Sequence, residues 1–190
     1  MPARLALEDQ MTIDEFLAFT EARPDGERWE LIAGVAVMSP APTEWHQRIA
    51  LNIASALDAV QAATHATWTA NLGVGMRVPA AANSLPQPDV FVKSAAPANS
   101  SITDDAIVLF EVLSRSNTKA DQAWRKRVYA SVPNCEHYVT VSTKTAEVTR
   151  YDRTDGWKGE TVAGLDAELS LPALPAKISL RTIYRKTEIK

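Results

Sequence analysis

Apolar residues recur along the chain with the period of helices in three segments and with the shorter period of strands elsewhere. The segments with helical periodicity are residues 12–23, 42–63 and 117–132. The second has the clearest pattern, because its apolar residues recur every three or four positions and form one face. Thr12 followed by Glu15 is a capping-box signature that predicts where the first helix begins. Thr118 followed by Asp121 is the equivalent signature for the third helix.

Strands are predicted where a short run rich in β-branched or aromatic residues is bounded by Gly, Pro, Asn or Ser. The run RWELIAGVAVMSP (28–40) predicts a hairpin, and ATWTANLGVGMRV (66–78) predicts two strands or one bulged strand. The other predicted strands lie within residues 88–93, 106–114, 137–142, 147–153 and 157–162, and a short closing helix lies within 178–186. No internal repeat or low-complexity linker divides the chain. The pattern predicts a single α/β or α+β domain, residues 1–190, built on a mixed sheet.

Composition narrows the classes of function. The 190 residues are 46% hydrophobic and 23% charged, as in ordinary folded proteins, and the net charge of −3 does not by itself suggest nucleic-acid binding. The single cysteine, Cys135, excludes an intramolecular disulfide and a cysteine-based zinc site, which fits a reducing compartment. Acidic residues interrupt the N-terminal segment MPARLALEDQMTIDEFLAFT, and no apolar run approaches the length of a membrane span. We therefore expect a cytoplasmic protein with no membrane partner.

Two of the predicted strands carry an acid among apolar residues. Glu111 lies within DAIVLFEVLSRSN (105–117), and Asp89 lies near the start of QPDVFVK (87–93). A carboxylate in so apolar a run is costly to bury unless it is paired. Adjacent strands lie about 4.8 Å apart, so the two acids could converge on one point. Converging carboxylates repel each other unless a cation lies between them, and Mg²⁺, which takes oxygen ligands, suits such a site.

The same two acids also have a structural interpretation. Asp89 would then cap a turn after Pro88, and Glu111 would form a buried ion pair. Because acids on strands are common and structural ion pairs perturb them as well, spacing alone leaves both interpretations open.

The third predicted helix supplies groups that could reach the end of the Glu111 strand. Asp121, Arg125 and Tyr129 are spaced four residues apart and share one face of the helix. Arg125 lies at the flank of the apolar stripe, where it could reach the site, whereas Lys126 points further toward solvent. Without a site, Asp121 and Arg125 would form an ordinary helix ion pair worth about 0.3–0.5 kcal/mol.

The order of these features resembles a known group of nucleases. Pro88-Asp89, a loop and then Glu111 in an apolar strand resemble the core of the PD-(D/E)XK nuclease superfamily. More narrowly, the chain resembles the putative restriction endonuclease family, formerly a domain of unknown function. The matching pieces are WELIAGVAVMSP (29–40), His46 at the start of the long helix, PQPDVFV (86–92), LFEVLS (109–114), the D-x-x-x-R-x-x-x-Y spacing (121–129) and VPNCEHYVTVS (132–142). They follow the family's order and cover roughly residues 11–185.

The resemblance implies a restriction-endonuclease-like core, a central mixed β-sheet flanked by helices, with an N-terminal helix and a β-hairpin. It also implies a Mg²⁺ site, with Mn²⁺ as the alternative ion, formed by Asp89, Glu111 and the backbone carbonyl of Val112. Related nucleases use such an ion to activate water for attack on a DNA phosphodiester. Glu30 matches a family acid that faces the same site. His46 matches a family position near the site, where it either lines the site or packs at the helix start.

Two positions depart from the family pattern. The superfamily lysine two residues after the second acid is Leu113 here, and the lysine that the family places in the following helix is Arg125, with Lys126 beside it. Arginine can hold a phosphate or a developing oxyanion but does not exchange a proton near neutral pH. Either Arg125 supplies charge only, or Lys126 turns inward. The second departure is SRSN (114–117), where the family more often has Ser-Pro and where Arg115 either contacts phosphate or faces solvent.

Three functions follow from these features. The leading one is a Mg²⁺-dependent DNA endonuclease. Its candidate catalytic residues are Asp89, Glu111, Arg125, Lys126 and Glu30, and its candidate lining residues are His46, Asp121 and Tyr129. The second is a nuclease-fold protein without hydrolytic activity that binds nucleic acid or acts in assembly, and the third is a structural domain in which Glu111 pairs with Arg125. Related nucleases often pair to cut both strands, but the sequence does not determine whether this chain forms a homo-oligomer.

Overall fold

A computed structural model of the chain describes residues 10–24, 26–114 and 117–190. The helices in these ranges are α1 (Ile13–Glu21), α2 (Glu44–Thr64), α3 (Lys119–Tyr129) and α4 (Leu180–Ile183). The strands are β1 (Trp29–Ile32), β2 (Val35–Met38), β3 (Thr69–Leu72), β4 (Gly75–Met76), β5 (Val90–Lys93), β6 (Ile102–Thr103), β7 (Val108–Val112), β8 (His137–Val141), β9 (Glu147–Asp152), β10 (Gly159–Ala163), β11 (Glu168–Leu171) and β12 (Ala176–Ser179). Arg115 and the first nine residues lie outside the described ranges.

The centre of the fold is a six-stranded sheet with the strand order β10-β9-β8-β7-β5-β3. Strands β7 and β8 are parallel, and every other neighbouring pair in this sheet is antiparallel. Both β7 and β8 are buried along their whole length, which explains why β7 reads as an almost continuous apolar run. The predicted mixed sheet flanked by helices is confirmed.

Side chains of β7 alternate between two cores, one on each face of the sheet. Val108, Phe110 and Val112 belong to a large core with residues of α2, α4 and the β11–β12 hairpin. Leu109 belongs to a second core on the other face, with Tyr129 of α3. Because successive side chains of a strand point to opposite faces, Glu111 points to the same face as Leu109, toward α3.

The β1–β2 hairpin is attached to this body by a third, smaller core. Phe16 of α1, Leu31 of β1 and Leu85 are its buried members, and the Leu85 N–H donates to the Leu31 carbonyl at 2.7 Å. With Leu31 facing this core, the adjacent Glu30 faces the opposite way, toward the end of β7. None of the helices in the described part of the chain is long and apolar enough to cross a membrane.

The structure resolves one local alternative, shortens the predicted closing helix and adds the strands β6, β11 and β12. Residues 66–78 form two strands, β3 and β4, and Gly73 lies between them, where a Cβ atom would be only 2.7 Å from the Pro88 carbonyl oxygen. The segment 178–186 is shared between the end of β12 and α4. The β11–β12 hairpin was not predicted, although its four-residue strands, ELSL and AKIS, alternate between polar and apolar residues.

Candidate active site

Asp89 and Glu111 meet because β5 and β7 are antiparallel neighbours. Val90 pairs with Phe110, so continuing the register by one residue places Asp89 opposite Glu111. The Asp89 N–H donates to the Phe110 carbonyl at 3.0 Å, and the Val112 N–H donates to Asp89 Oδ2 at 2.8 Å. The start of β5 and the end of β7 therefore form one edge of the sheet, with a carboxylate on each strand.

The Asp89 carboxylate is oriented by two further side chains. Arg28 Nη1 donates to Oδ1 at 2.9 Å, and His46 Nε2 lies 3.2 Å from Oδ2. Burial alone would raise the pKa of Asp89, but His46 and Arg28 outweigh it, so that the pKa lies below its usual value. His46 is held by the start of α2, where its N–H donates to the Thr43 hydroxyl at 3.3 Å. Asp89 is therefore an ionised carboxylate in a fixed orientation.

Arg125 joins the other acids of the site with one guanidinium group. Nη1 and Nη2 donate to the two oxygens of Glu30 at 3.0 and 2.8 Å, and Nη1 also donates to Glu111 Oε1 at 3.0 Å. Its Nε donates to Asp121 at 3.3 Å, which is the predicted contact one helical turn away. These carboxylates raise the pKa of Arg125 despite its burial, so it is a permanent cation. Asp121 also accepts from Asn117 at 3.0 Å, so only the Thr118 half of the predicted capping box forms.

Glu111 is buried and only partly satisfied. Its Oε1 accepts from Arg125 and, at 2.8 Å, from the Tyr129 hydroxyl, whereas no residue in the described ranges donates to Oε2. Burial is the main reason that the pKa of Glu111 rises to about 8; Arg125 opposes this rise, while Asp89 and Glu30 add to it. A further cation near Oε2 would favour the ionised form.

These groups line one large cavity of about 1120 Å³. The acidic lining residues are Glu30, Glu44, Asp89, Glu111 and Asp121, and the cationic ones among the described residues are Arg28, Arg125 and Lys144. Carboxylates therefore outnumber cations around the described wall. A phosphate group would be repelled from such a cavity unless an additional positive charge came with it.

The donor set fits a hard divalent cation that keeps part of its water shell. Asp89, Glu111 and the Val112 carbonyl offer oxygen atoms only, and Mg²⁺ is commonly bound by one or two carboxylates plus waters. Within the described part of the chain, no group of three or more His, Cys, Asp or Glu side chains is placed to hold a metal ion. The Arg125 guanidinium forms ion pairs with both Glu30 and Glu111.

The structure brings most of the predicted site residues together but not Lys126. The cavity is lined by Glu30, His46, Asp121 and Val112. Tyr129 is buried beneath the cavity surface and donates its hydroxyl hydrogen to Glu111. Lys126 Nζ instead lies 4.8 Å from the centre of the Tyr151 ring, and the described lining residues do not include it. One residue turns a helix by about 100°, so the neighbour of an inward-facing Arg125 points aside. Of the two alternatives left open by the sequence, this placement agrees with the one in which Arg125 faces the site and Lys126 points away from it.

Arg28 was missed from the sequence. It donates to Asp89 and, through Nη2, to the Gln87 carbonyl at 2.8 Å. A signal was present, because Arg28 lies two residues before Glu30 and the period of a strand places both on one face.

Comparison with known proteins identifies the family and the fold of the chain. A model of the family described as "Uma2: Putative restriction endonuclease" matches residues 13–182. The crystal structure of "a putative nuclease belonging to DUF820" from Anabaena variabilis is similar, with a TM-score of 0.72 and 17% identity, covering 92% of this chain and 97% of that chain. At that identity the likeness shows the fold alone. No curated protein sequence matches the chain. Because the family model covers most of the sequence, the resemblance is confirmed, and the chain belongs to the Uma2 putative restriction endonuclease family.

Proposed function

We propose that the chain is a cytoplasmic, Mg²⁺-dependent endonuclease that hydrolyses phosphodiester bonds in DNA. The observation that carries the proposal is the pair formed by Asp89 and Glu111 at one edge of the sheet, bordering a cavity rich in carboxylates. Family membership supports a nuclease, and the excess of carboxylates supports a requirement for an added cation.

The residues that would hold the ion are Asp89, Glu111 through Oε2, and Val112 through its backbone carbonyl, with Mn²⁺ as a substitute for Mg²⁺. The chemistry that such an ion supplies when bound is polarisation of the phosphate and activation of a water molecule at neutral pH. Arg28 and His46 keep the Asp89 carboxylate ionised and oriented. Tyr129 holds Glu111 by its Oε1 atom.

Arg125 would supply positive charge without exchanging a proton. Glu30 holds two of its nitrogens, which fixes the plane of the guanidinium at the cavity wall. A fixed cation beside the phosphate stabilises charge that develops on the phosphate oxygens and the leaving oxygen. This role differs from that of a lysine, which can also donate a proton.

The test is cleavage of supercoiled plasmid DNA by the purified chain with Mg²⁺, Mn²⁺ or EDTA. Asp89→Ala should slow cleavage by about a thousandfold, the size of losing several kcal/mol of metal-assisted stabilisation. Asp58→Ala is the matched control, because Asp58 is an exposed acid of α2 outside the cavity. Cleavage that persists in EDTA, or that survives Asp89→Ala, contradicts the proposal.

A second function is favoured by one observation, the presence of arginine at the position of the family lysine. Without the lysine that can donate a proton at this position, the chain would bind nucleic acid or act in assembly without hydrolysis. Calorimetry with Mg²⁺ separates the two functions. Saturable binding that Glu111→Ala abolishes favours the enzyme, whereas DNA binding without any Mg²⁺ binding favours the inactive module.

A further inference from the structure

One wall of the cavity is apolar and exposed, unlike the carboxylate floor. It consists of Val37 and Met38 at the end of β2, Pro40 and Pro42 in the connection, and Trp45 in the first turn of α2. The exposed fractions of Val37, Met38 and Trp45 are 44%, 55% and 39%. We call these five residues the apolar wall. A contiguous exposed apolar surface that borders a polar site is typical of a surface that binds something.

The apolar wall is held next to the acids by local structure. The Thr43 hydroxyl accepts the His46 N–H, which fixes the first turn of α2. Trp45 therefore lies one residue, about 3.8 Å along the backbone, from the histidine that contacts Asp89. Trp45 also lines the same cavity as Asp89 and Glu111, so a ligand that fills the cavity contacts both the acids and the indole.

Other lining residues of the cavity are polar. They include Ser114, Asn117, Thr143 and Lys144, so the cavity offers both apolar and polar chemistry to a ligand. The volume of about 1120 Å³ also exceeds the roughly 300–1,000 Å³ that is usual for small-molecule pockets. The cavity is therefore suited to a polymer segment with both apolar and polar groups.

We propose that the apolar wall stacks against an unpaired nucleobase next to the scissile phosphate. The substrate class is then single-stranded or locally unpaired nucleic acid rather than a continuous duplex, an inference that rests on the proposed nuclease function. A duplex presents sugars and phosphate anions outward and keeps its base faces covered, so an apolar wall gains little from it. An unpaired base exposes an aromatic face, and stacking on an aromatic side chain tolerates any base sequence.

The test measures the affinity of the chain for one labelled oligonucleotide as a single strand and as its duplex. Ca²⁺ is present so that a divalent cation offsets the acidic lining, and gel analysis of the same samples checks that the oligonucleotide stays uncut. The single strand should bind at least about tenfold more tightly, within the range expected for stacking of a base or two. Trp45→Ala should remove most of this preference, whereas Trp45→Phe should keep it. Because Trp45 is exposed, neither substitution threatens the core.

Leu51→Ala is the matched control, since Leu51 is 46% exposed on the same helix and does not line the cavity. It should leave both affinities unchanged. A second readout is the quenching of intrinsic tryptophan fluorescence by the single strand. Trp45→Phe should reduce this quenching while the affinity is retained, which a change in overall stability would not do.

Three outcomes overturn the inference: equal affinity for single strand and duplex, an equal loss of both affinities in Trp45→Ala, or a dimer that Trp45→Ala converts to monomer with DNA binding unchanged. The last would mean that the apolar wall contacts a second copy of the chain. Failure of the proposed function looks different. If the chain prefers single strands through Trp45 but does not cleave with any metal, the inference is supported and the proposed nuclease activity is wrong. If the chain cleaves with metal but has no such preference, the nuclease activity is supported and the inference is wrong.

Discussion

Two buried ionic clusters in this molecule use the same residue types, an aspartate with a histidine and an arginine, in different surroundings. The site cluster consists of Arg28, Glu30, His46, Asp89, Glu111 and Arg125, and the scaffold cluster consists of His137, Arg150 and Asp152. Their comparison shows which structural property separates a candidate active site from an ionic support of the fold.

In the scaffold cluster the polar atoms have partners within the fold. His137 Nδ1 lies 2.6 Å from Asp152 Oδ1, and His137 Nε2 accepts from the Ala173 N–H at 3.1 Å. Arg150 donates to Asp152 at 2.9 Å and also to Glu160 and to the Ser170 carbonyl. These bonds join β8, β9, β10 and the β11–β12 hairpin, so the cluster connects elements and leaves little capacity for a ligand.

In the site cluster, capacity for a ligand remains. No residue in the described ranges donates to Glu111 Oε2, and the cluster forms the floor of the large cavity. The two clusters therefore differ in whether a carboxylate oxygen is left without a donor and in access from solvent. Both contain an aspartate paired with a histidine and an arginine. Residue types alone would have given both clusters the same interpretation.

Substitution of Arg125 tests the difference between the two clusters with the largest expected effect. Arg125→Ala leaves the buried carboxylates of Glu30 and Glu111 without their cation, which should lower the free energy of unfolding by about 3–5 kcal/mol and abolish most cleavage. Arg125→Lys keeps the charge and adds a group that exchanges protons, so cleavage should be retained or rise. Denaturant unfolding and plasmid cleavage measure the two effects. If Arg125→Lys folds but is as inactive as Arg125→Ala, the role assigned to its charge is wrong.

A change in the scaffold cluster should affect stability alone. Asp152→Ala removes the partner shared by His137 and Arg150, and we expect the free energy of unfolding to fall by about 3 kcal/mol. Cleavage per folded molecule should not change, because this cluster is outside the cavity. Denaturant unfolding checks the first expectation, with the exposed Asp58→Ala as control. If Asp152→Ala lost cleavage while its free energy of unfolding stayed unchanged, the assignment of this cluster to a purely structural role would be wrong.

Two pH dependences of opposite sign, measured as unfolding midpoints in EDTA, also distinguish the two clusters. The pKa of Glu111 is raised from 4.5 to about 8, so the folded state binds its proton more tightly, and stability should fall as pH rises between these values. Burial lowers the pKa of His137 below 6.5, although Asp152 opposes this, so stability should fall as pH drops below 6.5. Glu111→Gln should flatten the first dependence, and His137→Gln the second. Variants that leave both unchanged would contradict these assignments.

Much of the arrangement around Asp89 and Glu111 could be predicted from local sequence. Each acid follows or precedes an apolar run that forms a buried strand, and the family order indicated that these strands are neighbours. Arg28 could not be ranked above the other arginines, because its contact with Asp89 joins residues 61 positions apart. The β11–β12 hairpin has a different explanation, because its strands have only four residues each, too few for their alternation to stand out, and they pack in one core with distant residues of α2 and β7.

By itself, the sequence determined the helices, the strands of the central sheet and the two acids at its edge, because periodicity and capping act over a few residues. Only the tertiary structure decided between Arg125 and Lys126, which are neighbours on one helix. The rotation of α3 against the sheet turns Arg125 toward Glu30 and Glu111 and leaves Lys126 beside Tyr151. That rotation is set by the packing of Val128 and Tyr129 into the second core, and such packing depends on residues far apart in the chain.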